Sequence, residues 1–164
     1  MTGVSDYARM LEALFGARRL GVNLELSRVR EALARLDHPE RRIGRVVQVA
    51  GTNGKGSTSA FLESCLGAAG VRTGLFTSPH LSRFCERFRV AGQEVDAQEL
   101  AAHYGRLLPI ASASGLTFFE QATLLAVLVF AHHQTEAVVL EVGLGGRLDA
   151  TSAIDADVAV ITQV

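Results

Sequence analysis

The sequence predicts an α/β domain with a mostly parallel sheet and flanking helices. Short β-branched runs alternate along the chain with stretches whose apolar residues recur every three or four positions. A glycine-rich turn at residues 51–58 follows one predicted strand and precedes a predicted helix. The only lysine of the chain, Lys55, lies inside this turn. These observations indicate a sheet with a phosphate-binding loop at one edge.

Two short helices are predicted before the sheet begins. Residues 7–15 and 26–36 both carry apolar side chains at helical spacing, and residues 16–25 between them are predicted to form a loop. The second helix should end at Asp37-His38, because Pro39 disfavours helical backbone in the residue before it.

The first strand is predicted at Arg45–Ala50, a β-branched run that stops at the glycine cluster. A helix should follow directly, ending near Gly70, and residues 72–77 should form the next strand. In such a strand-loop-helix-strand unit the connection should be right-handed and the two strands should be parallel. The predicted buried face of the helix consists of Phe61, Leu62, Cys65, Leu66 and Ala69.

The remaining elements continue the alternation. Residues 84–95 suggest a hairpin or an irregular excursion around Ala91-Gly92, and residues 96–108 suggest a helix. A second helix is predicted at residues 117–131, where Thr117 and Glu120 have the spacing of a capping box. Ala137–Glu141 and residues 157–162 are predicted as two further buried strands, separated by a glycine-rich loop.

The composition is that of one globular domain without a strongly charged surface. Apolar residues make up 48% of the 164 residues, enough for one sizeable core. The formal net charge is −1, so no broad field favours nucleic acid or an anionic membrane surface as a partner. Cys65 and Cys85 have neither disulfide-framework nor metal-ligand spacing. With no secretory signal and no membrane-length apolar run, a cytoplasmic location is predicted.

Lys55 is the most informative residue of the glycine-rich turn, since the other fifteen basic residues are all arginine. A compact ammonium fits a phosphate-sized cavity that a planar guanidinium does not. The turn therefore predicts a P-loop NTPase-like phosphate site, although Val49 and Gly56 depart from the general pattern. The alternative is a ligand-free strand-to-helix turn. The candidate phosphate-binding residues are Gly51, Thr52, Asn53, Gly54, Lys55, Gly56, Ser57 and Thr58.

Two further segments follow predicted strands and carry oxygen ligands. Glu141 ends one strand, at the edge where open α/β sheets bind ligands, and a carboxylate there can hold Mg²⁺ against a triphosphate. Thr77 and Ser78 end another strand and could reach the same metal. The alternatives are a solvated acid and ordinary turn chemistry.

The histidines are predicted to have structural roles. His132 and His133 fall at the end of a predicted helix, where interaction with the helix dipole is favoured over metal binding. His103 is predicted to be a surface residue of its helix.

Four segments together resemble one enzyme family. They are Gly51-Thr52-Asn53-Gly54-Lys55-Gly56-Ser57-Thr58, Thr77-Ser78-Pro79-His80-Leu81, Phe118-Phe119-Glu120 and Glu141-Val142-Gly143-Leu144-Gly145-Gly146-Arg147-Leu148-Asp149-Ala150-Thr151. This set is similar to folylpolyglutamate synthase/dihydrofolate synthase, in the Mur ligase superfamily, over nearly the whole chain. The phosphate loop alone would indicate only the superfamily.

The resemblance implies the central, ATP-binding domain of a Mur-type ligase. Such an enzyme uses ATP to phosphorylate the carboxylate of dihydropteroate or a folate, and the amine of L-glutamate then attacks the acyl phosphate. Residues 1–164 would form the N-terminal part of that domain, incomplete at the C-terminus and without the glutamate-binding domain. The chain alone is therefore expected to be inactive, while the full-length enzyme would be monomeric and have only small-molecule partners.

The resemblance also implies roles for individual residues. Lys55 and Glu141 would be catalytic, with Ser78 and Glu141 as the ligands of Mg²⁺. The pterin substrate would bind to Asn23, Leu24, Glu25, Leu26, Thr117, Phe118, Phe119, Glu120, Leu148, Asp149 and Ala150. A helix cap with two core phenylalanines is the plainer interpretation of residues 117–120, and both can hold together.

Two other functions remain open. Another Mur-type ligase, acting on a cell-wall nucleotide precursor, would share the phosphate loop, but Leu148-Asp149-Ala150 argues against it. A non-catalytic nucleotide-binding module would keep the fold without the chemistry, and the presence of Lys55, Ser78 and Glu141 argues against that.

Overall fold

The computed structural model describes residues 5–21 and 25–164. Within these ranges the six strands are β1 (Arg45–Ala50), β2 (Thr73–Phe76), β3 (Phe88–Val90), β4 (Gln93–Glu94), β5 (Ala137–Glu141) and β6 (Val158–Ile161). The five α-helices of the same ranges are α1 (Asp6–Gly16), α2 (Ser27–Arg35), α3 (Lys55–Ala68), α4 (Ala97–Ser114) and α5 (Phe118–His132). Short 3-10 helices occur at Ala17–Leu20, Pro39–Arg42, Phe84–Arg87 and Ala150–Ala153.

The strands form one sheet in the order β4-β3-β2-β5-β1-β6. The pairs β2–β5, β5–β1 and β1–β6 are parallel, while the hairpin β3–β4 adds two antiparallel strands beside β2. The predicted mostly parallel α/β sheet is therefore confirmed. Because β2, β5, β1 and β6 run the same way, their carboxyl ends lie at one edge of the sheet, where ligands bind in open α/β folds.

Helices cover both faces of the sheet. The larger core lies between the sheet and helices α1, α2, α4 and α5, and α5 has eleven buried residues because it packs between the sheet and other helices. The smaller core lies under α3, where Leu62 and Leu66 pack against Val49, Leu75 and Val139. Among the described residues, no helix is long and apolar enough to cross a membrane.

The N-terminal helices, the first strand and the hairpin agree with their sequence predictions. Ala91 and Gly92 both have positive φ values, 47° and 78°, as expected of the turn between β3 and β4. The segment predicted as a loop between α1 and α2 contains the 3-10 helix Ala17–Leu20. Asn23 and Leu24, which belong to the same predicted loop, lie outside the described residues.

Helix α4 is longer than the sequence predicts. It was expected to end at Leu108, before Pro109, but continues to Ser114 and is capped by Gly115 in the left-handed conformation. Buried Leu107 and Ala111 lie on either side of the proline and anchor the helix against its neighbours. Tertiary packing thus offsets the local cost of the proline.

The inward face of α3 differs from the prediction. Leu62 and Leu66 pack against the sheet as expected, but three other members of the predicted face are exposed: Phe61, Cys65 and Ala69. The positions completing the inward stripe are Ser59 and Glu63, both buried. These two polar residues share helical spacing with Leu62 and Leu66, so the apolar pattern alone indicated the wrong rotation of the helix.

Strand β6 was predicted to be buried and is largely exposed. Val158 is 52% exposed and Ile161 is 72% exposed. Within the described residues β6 pairs only with β1, so it forms the edge of the sheet. An apolar β-branched run predicts a strand but does not show whether that strand is central or at an edge.

His103 also differs from its prediction as a surface residue. Its side chain is buried between α4 and α5, with only 8% of its surface exposed. The buried side of α4 carries Leu100, His103, Tyr104 and Leu107, at helical spacing. The histidine therefore belongs to the packed face of the helix.

Candidate nucleotide site and adjoining pocket

The turn between β1 and α3 has the backbone of a phosphate loop. Gly51 has a φ of 136° and Gly54, the residue before α3, has a φ of 81°. A Cβ atom at Gly51 would lie 2.1 Å from Oγ1 of Thr162, so a larger residue does not fit there. The chain turns sharply and delivers the N-terminus of α3 to the carboxyl edge of the sheet.

The loop amides fall into two groups. The amides of Thr52 and Asn53 donate to the carbonyl oxygen of Gln163, at 2.7 and 3.3 Å. Lys55, Gly56 and Ser57 are the first residues of α3, and N–H groups at that position have no acceptor within the helix. These three amides carry the positive end of the helix dipole and are suited to an anion.

The side chain of Lys55 folds back over the loop. Its Nζ atom donates to the carbonyl oxygens of Gly51, at 3.0 Å, and Thr52, at 3.2 Å. The ammonium group is thereby held above the glycine-rich turn. A phosphate lying on the α3 amides would meet this charge as well.

Glu141 ends β5 with only 4% of its surface exposed. Its Oε2 atom accepts a hydrogen bond from the amide of Ser78, at 2.8 Å. A Cβ atom at Gly56 would lie 3.6 Å from its Oε1 atom, so the carboxylate adjoins the start of α3. Burial raises the pKa of Glu141, while the Ser78 amide and the charges of Lys55 and Arg87 act to lower it. The acid and the loop lysine are therefore close neighbours.

A pocket of about 370 Å³ opens beside these residues. Its wall contains eight of the candidate site residues together with Arg87 and several apolar groups. The lining residues are Gly21, Lys55, Ser78, Pro79, Arg87, Thr117, Phe119, Glu120, Gly143, Leu144, Leu148, Asp149 and Ala150. Sequence segments that are far apart along the chain thus meet in one cavity.

Among the phosphate-loop candidates only Lys55 lines this pocket, and Glu141 does not line it. Three of the described pterin candidates also lie outside it. Phe118 stacks on Phe15, with ring centroids 5.6 Å apart, and packs against the main core. Leu26 also packs against that core, while Glu25 is exposed.

The residues that open α5 form the predicted capping box. Oε2 of Glu120 accepts from the amide of Thr117 at 2.7 Å, and the Thr117 hydroxyl accepts from the amide of Glu120 at 3.4 Å. Glu120 also lies 3.7 Å from Nη2 of Arg28. The helix-cap interpretation is confirmed, and the same residues form part of the pocket wall.

Phe119 packs directly against the glycine-rich loop after β5. A Cβ atom at Gly143 would lie 2.6 Å from Cζ of Phe119, so the loop backbone rests on the aromatic ring. The ring also contacts Phe76 at the end of β2, with centroids 5.8 Å apart. This contact fixes one wall of the pocket.

Asp149 holds the loop from its other end. Its Oδ2 atom accepts from the amides of Gly143 and Leu144, both at 3.0 Å. Its Oδ1 atom accepts from the amide and hydroxyl of Thr151, at 3.0 and 2.7 Å. The carboxylate is buried and bonded within the protein, which indicates that it shapes the pocket.

Arg87 is a pocket residue that the sequence analysis did not identify. It is only 5% exposed, and its Nε atom donates to Nδ1 of His80 at 2.7 Å. Within the described residues, its Nη1 atom is buried without a hydrogen-bond partner. Burial, together with the charge of Arg18, lowers its pKa to about 10, so it stays charged at neutral pH. One arginine among fifteen gives no signal in the sequence.

Arg18 was also missed, because it falls in a segment predicted as a loop. Its guanidinium carbon lies 4.4 Å from the ring centroid of Phe15 and 4.8 Å from that of Phe118. These contacts tie the 3-10 helix after α1 to the start of α5.

The fold and this site define a phosphate-loop α/β domain with a ligand pocket next to the loop. No protein-family model matches the chain. It is 47% identical, over 163 residues, to the dihydrofolate synthase/folylpolyglutamate synthase of Escherichia coli strain K12. That alignment covers 98% of this chain and 38% of the relative. The chain belongs to the dihydrofolate synthase/folylpolyglutamate synthase family.

Solved structures show the same relationship. Escherichia coli FolC in complex with DHPP and ADP superposes with a TM-score of 0.86 and 44% identity, over 93% of this chain and 37% of that one. A bifunctional folylpolyglutamate synthase/dihydrofolate synthase with Mn, AMPPNP and L-glutamate bound gives a TM-score of 0.85 and 42% identity. It too is matched over 93% of this chain and 37% of its own length. The chain thus spans somewhat more than a third of each of these three relatives.

Proposed function

We propose that this chain contributes the ATP site and the pterin pocket of an ADP-forming ligase. The ligase adds L-glutamate to dihydropteroate or to a (tetrahydro)folate through an acyl phosphate, in folate biosynthesis and polyglutamylation. Support comes from relatives whose structures contain DHPP and ADP, or AMPPNP, Mn and L-glutamate. The observation that carries the proposal is that Lys55 and Ser78 line one pocket, while Glu141 is hydrogen-bonded to the Ser78 amide and adjoins the start of α3.

The phosphates of ATP would lie on the N-terminus of α3. The amides of Lys55, Gly56 and Ser57 point away from the helix and supply hydrogen-bond donors. The ammonium of Lys55, held over the loop by the carbonyls of Gly51 and Thr52, would turn to the β- and γ-phosphates. The amides of Thr52 and Asn53 already donate to Gln163, so their role is to hold the loop in shape.

The residues beside the loop fit Mg²⁺, which prefers carboxylate and hydroxyl oxygens and supplies charge that offsets repulsion during phosphoryl transfer. Glu141 would be one ligand and the Ser78 hydroxyl another. The Ser78 amide holds Oε2 of Glu141, which leaves Oε1 for a cation. Lys55 lies near enough to share the same group of phosphates.

The pterin substrate would occupy the adjoining pocket. Phe119, Leu144 and Leu148 offer apolar surface for a flat heteroaromatic ring, in a cavity whose volume suits a small molecule. Arg87 lines the same pocket and adds a positive charge that acts on Glu141. A substrate carboxylate between Arg87 and Lys55 would lie in position to attack the terminal phosphorus.

The chemistry then takes two balanced steps. A carboxylate oxygen bonds to the γ-phosphorus of ATP as ADP leaves, which gives the acyl phosphate. The amine of glutamate next bonds to the acyl carbon, loses a proton and expels inorganic phosphate. In both steps the described residues position the reactants and stabilise negative charge.

The test is a calorimetric titration of the chain with Mg²⁺–AMPPNP and with dihydropteroate. We expect both to bind, but we expect no ligation by the chain alone, since it spans 38% of the relative's length. Binding of nucleotide without dihydropteroate would favour the non-catalytic module. Binding of a cell-wall nucleotide precursor in place of dihydropteroate would favour the other Mur-type ligase, and binding of no nucleotide would contradict the proposal.

A further inference from the structure

Three potential metal ligands meet where the first half of α4 packs against the end of α5. Glu99 and His103 lie one helical turn apart on α4, and His132 is the last residue of α5. One ligand atom from each residue lies within 4.8 Å of the other two. The phosphate loop adjoins the opposite end of α5, about 20 Å away along a 15-residue helix.

The distances are close to those of a metal site. Nε2 of His103 lies 3.8 Å from Oε1 of Glu99, and the rings of His103 and His132 have centroids 5.0 Å apart. Zinc bonds to nitrogen and oxygen of about 2.0–2.1 Å place the ligand atoms of a tetrahedron about 3.4 Å apart. Small rotations of these side chains would therefore bring all three ligand atoms onto one cation.

The site is reachable from solvent, although one of its members is buried. His103 has only 8% of its surface exposed. His132 is exposed and Glu99 is partly exposed, which leaves a path from solvent.

A fourth residue orients the carboxylate. Nε2 of His133 lies 2.7 Å from Oε1 of Glu99, in a hydrogen bond between the α5 C-cap and α4. Outer partners of this kind hold ligating groups in position and strengthen metal affinity. His133 would either keep this role or move onto the metal itself.

We propose that Glu99, His103 and His132 bind one zinc-type divalent cation, with water in the remaining position. A ligand set of two imidazoles and one carboxylate favours Zn²⁺ over Mg²⁺, which prefers oxygen ligands alone. The cation would join α4 to α5 and stabilise their packing. This site is independent of the proposed ligase function and lies at the far end of α5 from Lys55.

The experiment uses the chain without a polyhistidine tag, which would itself bind metal. Isothermal titration with Zn²⁺ measures affinity and stoichiometry, and visible absorption of the Co²⁺ form reports the ligand geometry. The test variants are His132→Ala and Glu99→Gln, both at positions with some solvent exposure. Circular dichroism and thermal unfolding without metal confirm that each variant folds.

Two control variants make the result specific. His38→Ala removes a histidine whose Nδ1 atom lies 2.8 Å from Oε1 of Glu40. Among the described residues, this pair belongs to no group of three potential metal ligands. Glu141→Gln removes the acid of the nucleotide site. We expect both controls to keep the affinity measured for the unmodified chain.

The expected result is one Zn²⁺ per chain, a rise in melting temperature with Zn²⁺, and a tetrahedral Co²⁺ spectrum. His132→Ala and Glu99→Gln should each weaken binding at least tenfold and remove the thermal shift. Absence of stoichiometric binding would overturn the proposal. So would binding that survives both test variants, or that is lost in Glu141→Gln.

Discussion

The amide of Ser78 donates a hydrogen bond to Oε2 of Glu141 at 2.8 Å, and this bond joins the loop after β2 to the last residue of β5. The two strands are parallel neighbours, with Phe76 paired to Leu140 directly before the bond. The bond orients a buried carboxylate towards the start of α3 and places the Ser78 side chain beside it. One contact thus assembles the proposed metal ligands.

Replacing Glu141 with Gln should remove the metal dependence of nucleotide binding. Gln keeps the size of the side chain and an oxygen that can accept from Ser78, but it loses the charge that holds a cation. The affinity for AMPPNP, measured with Mg²⁺ and with a chelator, should differ by at least about tenfold in the unmodified chain and hardly at all in the variant. Exposed Glu31 provides the matched control, Glu31→Gln. A variant that keeps the full Mg²⁺ effect would remove Glu141 from the metal site.

Replacing Arg87 with Met should weaken dihydropteroate binding without unfolding the chain. The variant gives up the Nε–His80 hydrogen bond, so a moderate loss of stability is expected, whereas a ligand carboxylate would lose a charged hydrogen bond. Such bonds are worth about 1.5–3 kcal/mol, which corresponds to about 10–150-fold in affinity. Fluorescence titration of the variant measures this loss. Arg83→Met, at an exposed arginine paired with Glu94, should bind normally; equal affinities for all three proteins would contradict the role of Arg87.

Replacing Gly143 with Ala should destabilise the chain through a clash with Phe119. The added Cβ would lie 2.6 Å from Cζ of the ring, and overpacking of this kind costs about 1–3 kcal/mol. The double variant Gly143→Ala/Phe119→Leu should be more stable than the sum of the single changes predicts, because leucine at position 119 leaves room for the added methyl group. Denaturant unfolding measures the four free energies of the cycle.

The helical Gly105 is the control for that cycle. Nothing lies within 4 Å of a Cβ built there, so Gly105→Ala should be neutral or slightly stabilising. Additive free energies at Gly143 and Phe119 would show that the loop does not rest on the ring.

Replacing Asp157 with Asn should lower stability at neutral pH but not in acid. The Val46 amide and the Arg45 guanidinium hold the pKa of Asp157 below its ordinary value, by hydrogen bonds of 2.8 and 2.6 Å. The folded state therefore favours the charged form. The stabilisation that charged Asp157 gives the folded chain is present above the unfolded pKa of about 3.9, and it is lost as the pH falls through the pKa of the folded state.

Melting temperatures measured from pH 3 to pH 7 test this sign. The difference in melting temperature between the unmodified chain and Asp157→Asn should shrink steadily as the solution becomes more acidic. Asp155→Asn, at an exposed acid two residues earlier, is the matched control variant. A difference that grows in acid would contradict the assignment.

Much of the fold could be predicted from local pattern. The bounds of β1 and β5 follow from β-branched and apolar runs that end at a glycine cluster and at an acid. The start of α5 follows from Thr117 and Glu120, whose capping geometry is local and independent of the rest of the chain. Local signals of this kind survive folding because tertiary contacts reinforce them.

The wrong predictions all concern what an element packs against. Apolar spacing could not identify Ser59 and Glu63 as the inward side of α3, because neither is apolar. The sequence of β6 has no feature that distinguishes an edge strand from a central one. The helix predicted at residues 96–108 continues through Pro109 to Ser114, because residues on both sides of the proline are packed.

The candidate site was predictable where several residues act as one motif. Lys55 and Ser78 follow strands and Glu141 ends one, so a parallel sheet brings them to the same edge. Arg87 was not predictable, because its importance comes from burial and an unpartnered N–H group, which only the folded chain shows. The internal hydrogen bonds of Asp149 were hidden for the same reason.

The central claim is that Lys55 and the start of α3 hold the phosphates of ATP, and calorimetric titration with Mg²⁺–AMPPNP tests it most directly. We predict one nucleotide per unmodified chain and a loss of at least about tenfold in affinity for Lys55→Ala, since a charge-assisted contact is removed. Lys55→Arg should be similarly weak, because the guanidinium is too broad for the loop. Arg42→Ala, at an exposed residue before β1, should bind normally. Undiminished binding by Lys55→Ala would contradict the account.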